Sequence, residues 1–431
     1  MSSIGIVGAG IAGLQLGLFL RRHGVSCTLY TDRSGDEIRS SRLPSTAALL
    51  GSTRRRDREL GTNHWDDDAF GCFHVDVRVK GLPELSSRGR IVPPALLIDM
   101  RLYLPRLLED FEARGGRVIR TGALARSDVE RLGRKHDLVV VASGRGELGT
   151  MFPRDFDRSP WLEPQRRLFA GLFRGIDFPE ELGLLFQIVP GHGEIFESQL
   201  LTAEGPVTCL LFEAIPGGAL DAVTRVPCDD DPHVVESLVL DLLQENAPSV
   251  HDRVDRQTFH LTSPGDCMQA AIVPTARRAY VDLGEGRFAV AVGDAFATHD
   301  PVLWQGANAA SRGAWALGEA IVQALVLGRP LDRRFCEGVD ERLWSLVGPS
   351  MHWTNAFLSP PPPHTMAIFS AASRDQSIAD AFASNFDDPA LQWRIFRGPE
   401  GASAFLEGFR GARTRRVLGA TVAPASAPAS A

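Results

Sequence analysis

The first thirty-one residues constrain the fold more than any other stretch. Residues 3–31 read SIGIVGAGIAGLQLGLFLRRHGVSCTLYT. The apolar run Ile4–Val7 predicts a short buried strand, and Gly8, Gly10 and Gly13 follow at G-x-G-x-x-G spacing. Ala12–His23 then carries a helical pattern, Gly24 supplies a left-handed stop, and Cys27–Thr31 predicts a second strand. Glycine at 8 permits a tight turn, at 10 a close backbone approach to a pyrophosphate, and at 13 close helix–strand packing. The amides at the helix N-terminus would face the phosphates. A glycine-rich turn that binds nothing is the bland alternative, but strand, helix, stop and second strand all sit where a dinucleotide-binding βαβ unit needs them. By spacing Thr31 takes the place of the ribose-binding acid, with Asp32 one residue later; we assign Asp32, with Arg33 beside it, to the cofactor.

At 431 residues the chain has room for two or three domains. Its net charge of −7 argues against an extended nucleic-acid surface, and 44% apolar with 23% charged residues is ordinary for a globular protein. The six cysteines form no C-x-x-C pair, which suits reduced thiols in a cytoplasmic protein. Ile4–Leu20 is apolar, yet its arginines follow it instead of preceding it, so a signal peptide is disfavoured. Arg312 and Glu319 interrupt the apolar stretch Gly306–Gly328, which therefore reads as a buried helix and not a membrane span.

Further along, Asp99 should cap a helix to about Ala113, and Arg117–Thr121 and Leu138–Ala142 read as strands of the first sheet. Leu168–Arg174, Leu184–Val189, Glu194–Leu200 and Val207–Ile215 are β-type runs split by turns such as PGHGE, which predicts an antiparallel sheet. Asp231 and Pro232 open a helix that ends before Pro248. Arg278–Leu283 and Arg287–Val292 make a hairpin, and from Cys336 the chain turns helical, interrupted by PPPP at 360–363. The tail APASAPASA should be disordered.

A second element, FAVAVGDAFATHDPVLWQGANAA at 288–310, runs strand, Gly293–Asp294, then a Pro-x-x-x-Q-G-x-N turn into a helix. It resembles flavoprotein monooxygenases of the hydroxylase fold. That resemblance implies FAD, with Asp294 holding the ribityl chain and Pro301, Gly306, Ala307 and Asn308 lining the isoalloxazine ring.

The segment SGRGELG also contains a literal G-x-G-x-x-G at Gly144, Gly146 and Gly149. Pro153, Pro160 and Pro164 prevent the helix that a phosphate-binding turn must start. The hydroxylase family carries an Asp-Gly pair here, linked to FAD and nicotinamide, whereas this chain has Ser143–Gly144. The glycines are read as a loop, and no NADH site is expected.

From residue 2 to about 418 the chain resembles two-component styrene and indole monooxygenases, in the stretches GIVGAGIAGLQLGLFLRRH, LYTDR, DMRLYLPRLLEDFEARGG, PGHGE, DDDP and DPVLWQGAN. The resemblance implies a diffusible reduced FAD taken from a separate, transiently bound NADH-dependent flavin reductase. It further implies a C4a-(hydro)peroxyflavin that epoxidises a small aromatic alkene. Arg42 and Arg101 lie in stretches that approach the flavin in this family. Trp304 departs from it, since a glycine is expected there. At the family's substrate-lining positions this chain has Ser45, Ala47, Leu49, Cys72, Val75 and Ala95, with Pro301 and Trp304 at the flavin side. None matches the styrene-type set of Asn, Val, His, Tyr, His and Ser; Ser45 and Ala95 match the indole type. Ordinary core variation is the alternative.

RRRDR at 54–58 reads as a solvated helix face, WDDDAF as a surface turn and CDDDPH as a helix cap, and the histidines show no ligand spacing, so no metal is expected. The fold expected is α/β: a Rossmann-like FAD-binding domain (1–75, 95–160, 279–335) with an inserted antiparallel substrate domain (76–94, 161–278). A helical region (336–418) and a tail (419–431) complete it. The leading function is reduced-FAD-dependent epoxidation of indole at C2–C3, leading to indoxyl and indigo. The alternatives are a styrene monooxygenase, a self-sufficient NAD(P)H-dependent aromatic hydroxylase and a non-catalytic flavin-binding module. A homodimer is compatible; no nucleic-acid or membrane partner is expected.

Overall fold

A computed structural model describes residues 3–66, 70–228 and 231–420. The APASAPASA tail, Asp67, Asp68, Asp229 and Asp230 lie outside the described residues. The first sheet has six strands in the order Tyr280–Gly284, Arg287–Ala291, Leu138–Val141, Ser3–Val7, Ser26–Thr31, Arg117–Arg120. Four of its five pairings are parallel, with Ile4 opposite both Cys27 and Leu138 and Ala289 opposite Val139. Strands buried on both faces need continuous apolar runs, and Ile4, Ile6 and Leu138–Val141 are wholly buried. Helix Ile11–Arg22 packs on helix Gln305–Val326 through Gly318, where a β-carbon would meet the Phe19 ring at 2.6 Å. Helix Met100–Ala113 keeps Pro105 in its interior.

The second sheet has nine strands, mostly antiparallel. Its path is His260–Leu261, Arg167–Arg174, Gly205–Ala214, Gly193–Thr202, Leu184–Val189, Gly71–Val79, Ser87–Asp99 and Thr46–Leu49, with Cys267–Ala271 paired to Arg167–Arg174. Strand alternation sorts its two faces. Phe169, Phe173, Leu210 and Phe212 meet Val235, Val239 and Leu243 of helix Pro232–Asn246. Ala170, Leu172, Leu211, Cys72 and Val75 face the C-terminal helices through Trp353, Phe382 and Phe386. The expected class is therefore present. The segment boundaries differ, because Thr46–Leu49 and all of Gly71–Val79 pair within the second sheet, and Ser87–Asp99 runs unbroken past residue 94.

RRRDR is not a solvated face. Arg54 and Asp57 are buried, Arg54 donating to the Pro94 carbonyl at 2.7 Å. Asp57 accepts from Tyr103 Oη and Gln15 Nε2. The 3.6-residue period turns these two positions inward while Arg55 and Arg58 stay exposed. No described helix is long and apolar enough to cross a membrane.

Candidate functional site

A cavity of about 680 Å³ opens between the C-terminal ends of the parallel strands and the second sheet. The crevice beyond the carboxyl ends of parallel strands is where such folds bind ligands. Three glycines shape one end, for different reasons. Gly8 has φ +111°, and a β-carbon there would strike the Ala142 carbonyl at 2.4 Å. A β-carbon on Gly13 would sit 2.0 Å from the Gly8 carbonyl oxygen. Gly10 is under neither constraint: the nearest atom to an added β-carbon is 4.0 Å away, and the residue faces the cavity. The fold requires glycine at 8 and 13; at 10 the free space suits a pyrophosphate brought against the backbone.

At the end of Ser26–Thr31 the Thr31 hydroxyl is engaged locally, donating to the Arg33 carbonyl at 3.0 Å and accepting from its amide at 3.2 Å. Thr31, Asp32 and Arg33 all line the wall, the charged groups of Asp32 and Arg33 3.9 Å apart. This is the arrangement a ribose-binding acid needs. Across the cavity Gly293 has φ +65° and Asp294 faces in, with Arg145 Nε 3.7 Å from its carboxylate. Burial pushes the Asp294 carboxyl up and Arg145 opposes that shift. Pro301, Trp304, Gly306 and Ala307 also line the cavity. The wall thus offers a phosphate cradle, an acid for a ribose and a backbone turn for a flat ring, and fits FAD.

The second G-x-G-x-x-G runs into the five-residue 3₁₀ turn Glu147–Met151, not an α-helix. Ser143 to Leu148 wall this same cavity.

Several sequence-predicted residues lie outside this wall. Asn308 is fully buried and does not line the cavity. Its Oδ1 accepts from the Leu50 amide (2.9 Å) and Thr53 Oγ1 (2.8 Å), and its Nδ2 donates to the carbonyls of Ala48 and Trp304 (2.9 Å each). All its amide capacity goes to clasping Thr46–Leu49 onto the turn before helix Gln305–Val326. Arg101 is engaged with Asp99, at 2.6 and 2.9 Å, and with Asp266 at 2.6 Å, away from the cavity. Arg42 is exposed beside Gly265, outside the cavity wall.

Of the six substrate positions, Ser45 and Ala47 line the cavity and Leu49, Cys72, Val75 and Ala95 do not. Leu49, opposite Leu96, is sealed in the core below the first sheet. Cys72 faces Ala95 across the strand pair, and a register slip between Cys72 and His74 brings Val75 to the same side. These three stand one layer behind the wall, in the cluster that holds Ala170, Leu211 and Trp304. Burial pushes the Cys72 thiol up to about 12, so it is inert.

The sequence reading missed Ala48, Leu168, Ala170, Leu211, Met268 and Ile272, which build the apolar end. Ala170 was findable, as a small residue on the alternating row of Arg167–Arg174 where the other face carries phenylalanines. His299 was also missed. It lines the cavity, its Nε2 lies 2.8 Å from Ser350 Oγ, and burial pushes it down to about 4, so it is neutral near pH 7. Among the described residues no three His, Cys, Asp or Glu side chains converge on a metal position.

Residues 144–253 match the family model described as "Styrene monooxygenase A putative substrate binding domain". Styrene monooxygenase StyA of Pseudomonas fluorescens is 39% identical over 401 residues, 92% of this chain and 95% of its own. Among solved structures, the flavin-dependent brominase Bmp2 superposes with a TM-score of 0.65 at 14% identity, over 96% of this chain and 99% of that one. The p-nitrophenol 4-monooxygenase PnpA of Pseudomonas putida gives 0.63 at 14% identity, over 90% and 99%. The two structural likenesses establish the fold.

Proposed function

The chain belongs to the styrene monooxygenase family, and from that premise we propose that it epoxidises aryl alkenes, with indole, at its C2–C3 bond, preferred over styrene. It is a FAD-dependent monooxygenase that takes reduced flavin from a partner reductase. When bound, that flavin supplies the activated oxygen. The chain's own residues bind, orient and exclude water. The Gly8–Gly13 turn and Asp32 hold the dinucleotide end, and Asp294 and the Pro301–Ala307 turn hold the ring end.

The observation that carries the indole preference is the composition of the wall near that turn. Ala47, Ala48, Ala170, Leu211 and Met268 are apolar, Ser45 adds a hydroxyl, and His299 is neutral and turned to Ser350. Such a wall suits a flat bicyclic ring and offers Ser45 as acceptor for the indole N–H. A buried hydrogen bond lost to a competitor is worth about 1–3 kcal/mol, or about 10- to 100-fold in specificity. Styrene, for which the relatives are named, is the second reading.

The test is kcat/KM for both substrates with an unrelated flavin reductase and excess reduced FAD. Indole ahead is expected; styrene ahead overturns the order. Since Ser143 stands where the hydroxylase family carries an acid, the protein alone should not oxidise NADH. Rapid flavin bleaching on mixing protein, FAD and NADH without reductase would refute that.

A further inference from the structure

Behind the flavin-facing turn lies a dry cluster of acids that the reading above does not use. Antiparallel register sets Glu194 of Gly193–Thr202 directly opposite Glu213 of Gly205–Ala214. Like charges so placed repel. Arg166, just before strand Arg167–Arg174, answers only one of them, gripping Glu194 through Nε at 2.7 Å and Nη2 at 2.9 Å. Glu213 is fully buried, and no hydrogen-bond donor reaches either of its carboxyl oxygens.

Asp300 lies within hydrogen-bonding reach of Glu213. It too is fully buried. Its Oδ1 accepts from the Val302 amide at 3.1 Å and so caps the turn Pro301–Leu303, while its Oδ2 has no donor. Three acceptor atoms without a donor are therefore buried from solvent. Ionised acids only accept hydrogen bonds, whereas a protonated acid donates one. Burial and the neighbouring acids push Glu213 well above the usual carboxylate range, and Asp300 rises to about 6. The other charged groups at hand are Arg166 and Glu194; the ring of His299 is committed to Ser350.

We propose that Glu213 and Asp300 share one proton, and that this hydrogen bond fixes the Asp300–Trp304 turn so that flavin affinity depends on the pair. Glu213 is then a positioning residue acting through Asp300, whose neighbours Pro301 and Trp304 line the cavity. The link to flavin rests on the cofactor reading given above. Loss of the proton as pH rises sets two carboxylates against each other, and the turn loosens.

The test compares reduced-FAD dissociation constants of wild type, Glu213→Gln and Asp300→Asn from pH 6 to 9. Each amide variant supplies a donor at every pH, and Asp300→Asn keeps the Oδ1 cap. Comparison at equal pH cancels the flavin's own titration. The wild-type constant should rise relative to each variant by up to about tenfold per pH unit over the range where the pair ionises. Ratios to both variants constant within about twofold overturn the proposal, because a purely structural acid would weaken binding equally at all pH.

Infrared spectra of the flavin-free proteins read the proton directly. One protonated-carboxyl component of the wild-type spectrum should be missing from both variants, over the Asp57 signal that all three share, and a spectrum unchanged in both overturns the sharing. If wild type bound no FAD at any pH, the cofactor reading would fail while this band still reported on the pair.

Discussion

The Trp304 indole stacks on the Phe386 ring with centroids 5.4 Å apart and planes 28° from parallel. It does so from a backbone φ of +52°, in the left-handed region that favours glycine. Phe196 meets the same indole edge-on at 5.7 Å. A non-glycine residue held there costs about 1–3 kcal/mol, and deleting a buried tryptophan side chain costs about 3–5 kcal/mol. Packing wins, which is why the strained position persists. Both Trp304→Gly and Trp304→Ala should therefore unfold more easily than wild type. The glycine variant should be the more stable of the two by about 1 kcal/mol, because alanine keeps the strain and loses the ring. Urea denaturation decides it; an alanine variant equal to or above the glycine one removes the strain argument.

Asn308 should behave as a clasp. Asn308→Ala strands the Leu50 amide, Thr53 Oγ1 and the Ala48 and Trp304 carbonyls in a dry interior. Each buried group left without a partner costs about 1–3 kcal/mol, so a loss of at least about 3 kcal/mol is expected after partial relaxation. A loss below about 1 kcal/mol in the same denaturation assay would mean that the four bonds are not holding the turn.

These two residues show where sequence reasoning reached and where it stopped. The βαβ unit was readable because glycine spacing, helix stop and strand pattern are local and agree with one another. The turn motif predicts that Asn308 reaches the flavin, whereas the direction of its side chain is set by Leu50 and Ala48, more than 250 residues away in the chain. Only the family likeness points Leu49, Cys72, Val75 and Ala95 toward the substrate. Their facing depends on strand register, and the slip between Cys72 and His74 is a pairing property that no local pattern encodes. Ala170 and Met268 became wall residues only when two distant strands paired.

The three fingerprint glycines should separate cleanly on substitution. Gly10→Ala meets open space at φ −81°, so the flavin-free protein should unfold within about 0.5 kcal/mol of wild type or slightly above it. Its FAD affinity should nevertheless fall by about tenfold or more, since the methyl occupies the space a pyrophosphate would use. Gly13→Ala drives a methyl to 2.0 Å from the Gly8 carbonyl oxygen and should destabilise the protein itself. Calorimetry with and without FAD reads both effects. Unchanged FAD affinity in Gly10→Ala would move the cofactor away from this turn.

Asp57 predicts a loss of stability with rising pH. Burial pushes its carboxyl up to about 7 against the lowering influence of Tyr103 and Gln15. The folded state then holds a proton that the unfolded chain releases from its ordinary value of 3.8 upward. Stability is therefore greatest below pH 4 as far as this group is concerned, falls as pH rises from about 4 to about 7, and levels off above. Asp57→Asn removes that slope. Its stability relative to wild type should improve between pH 5 and pH 8, by at most about 3 kcal/mol. Denaturation curves at the two pH values that shift in parallel for both proteins would contradict the assignment.

Substrate choice should follow the residues that line the cavity and not those behind it. Ser45 is in the wall, whereas Leu49 is wholly buried in the core. Ser45→Ala removes a hydrogen-bond acceptor that indole can use and styrene cannot. Styrene kcat/KM should stay within about twofold while indole kcat/KM falls by about tenfold, the equivalent of one neutral hydrogen bond. Ser45→Asn should lower the indole-to-styrene ratio too, by bringing a larger polar group and its water toward the ring. Leu49→His places an imidazole in an apolar core without a partner, so its main effect should be on stability, with about 2 kcal/mol or more lost and the substrate ratio little changed. The decisive measurement is that ratio across the three variants with reduced FAD in excess. A ratio that responds to Leu49→His and ignores both Ser45 changes would show that selectivity is set by the layer behind the wall, acting through strand position instead of direct contact.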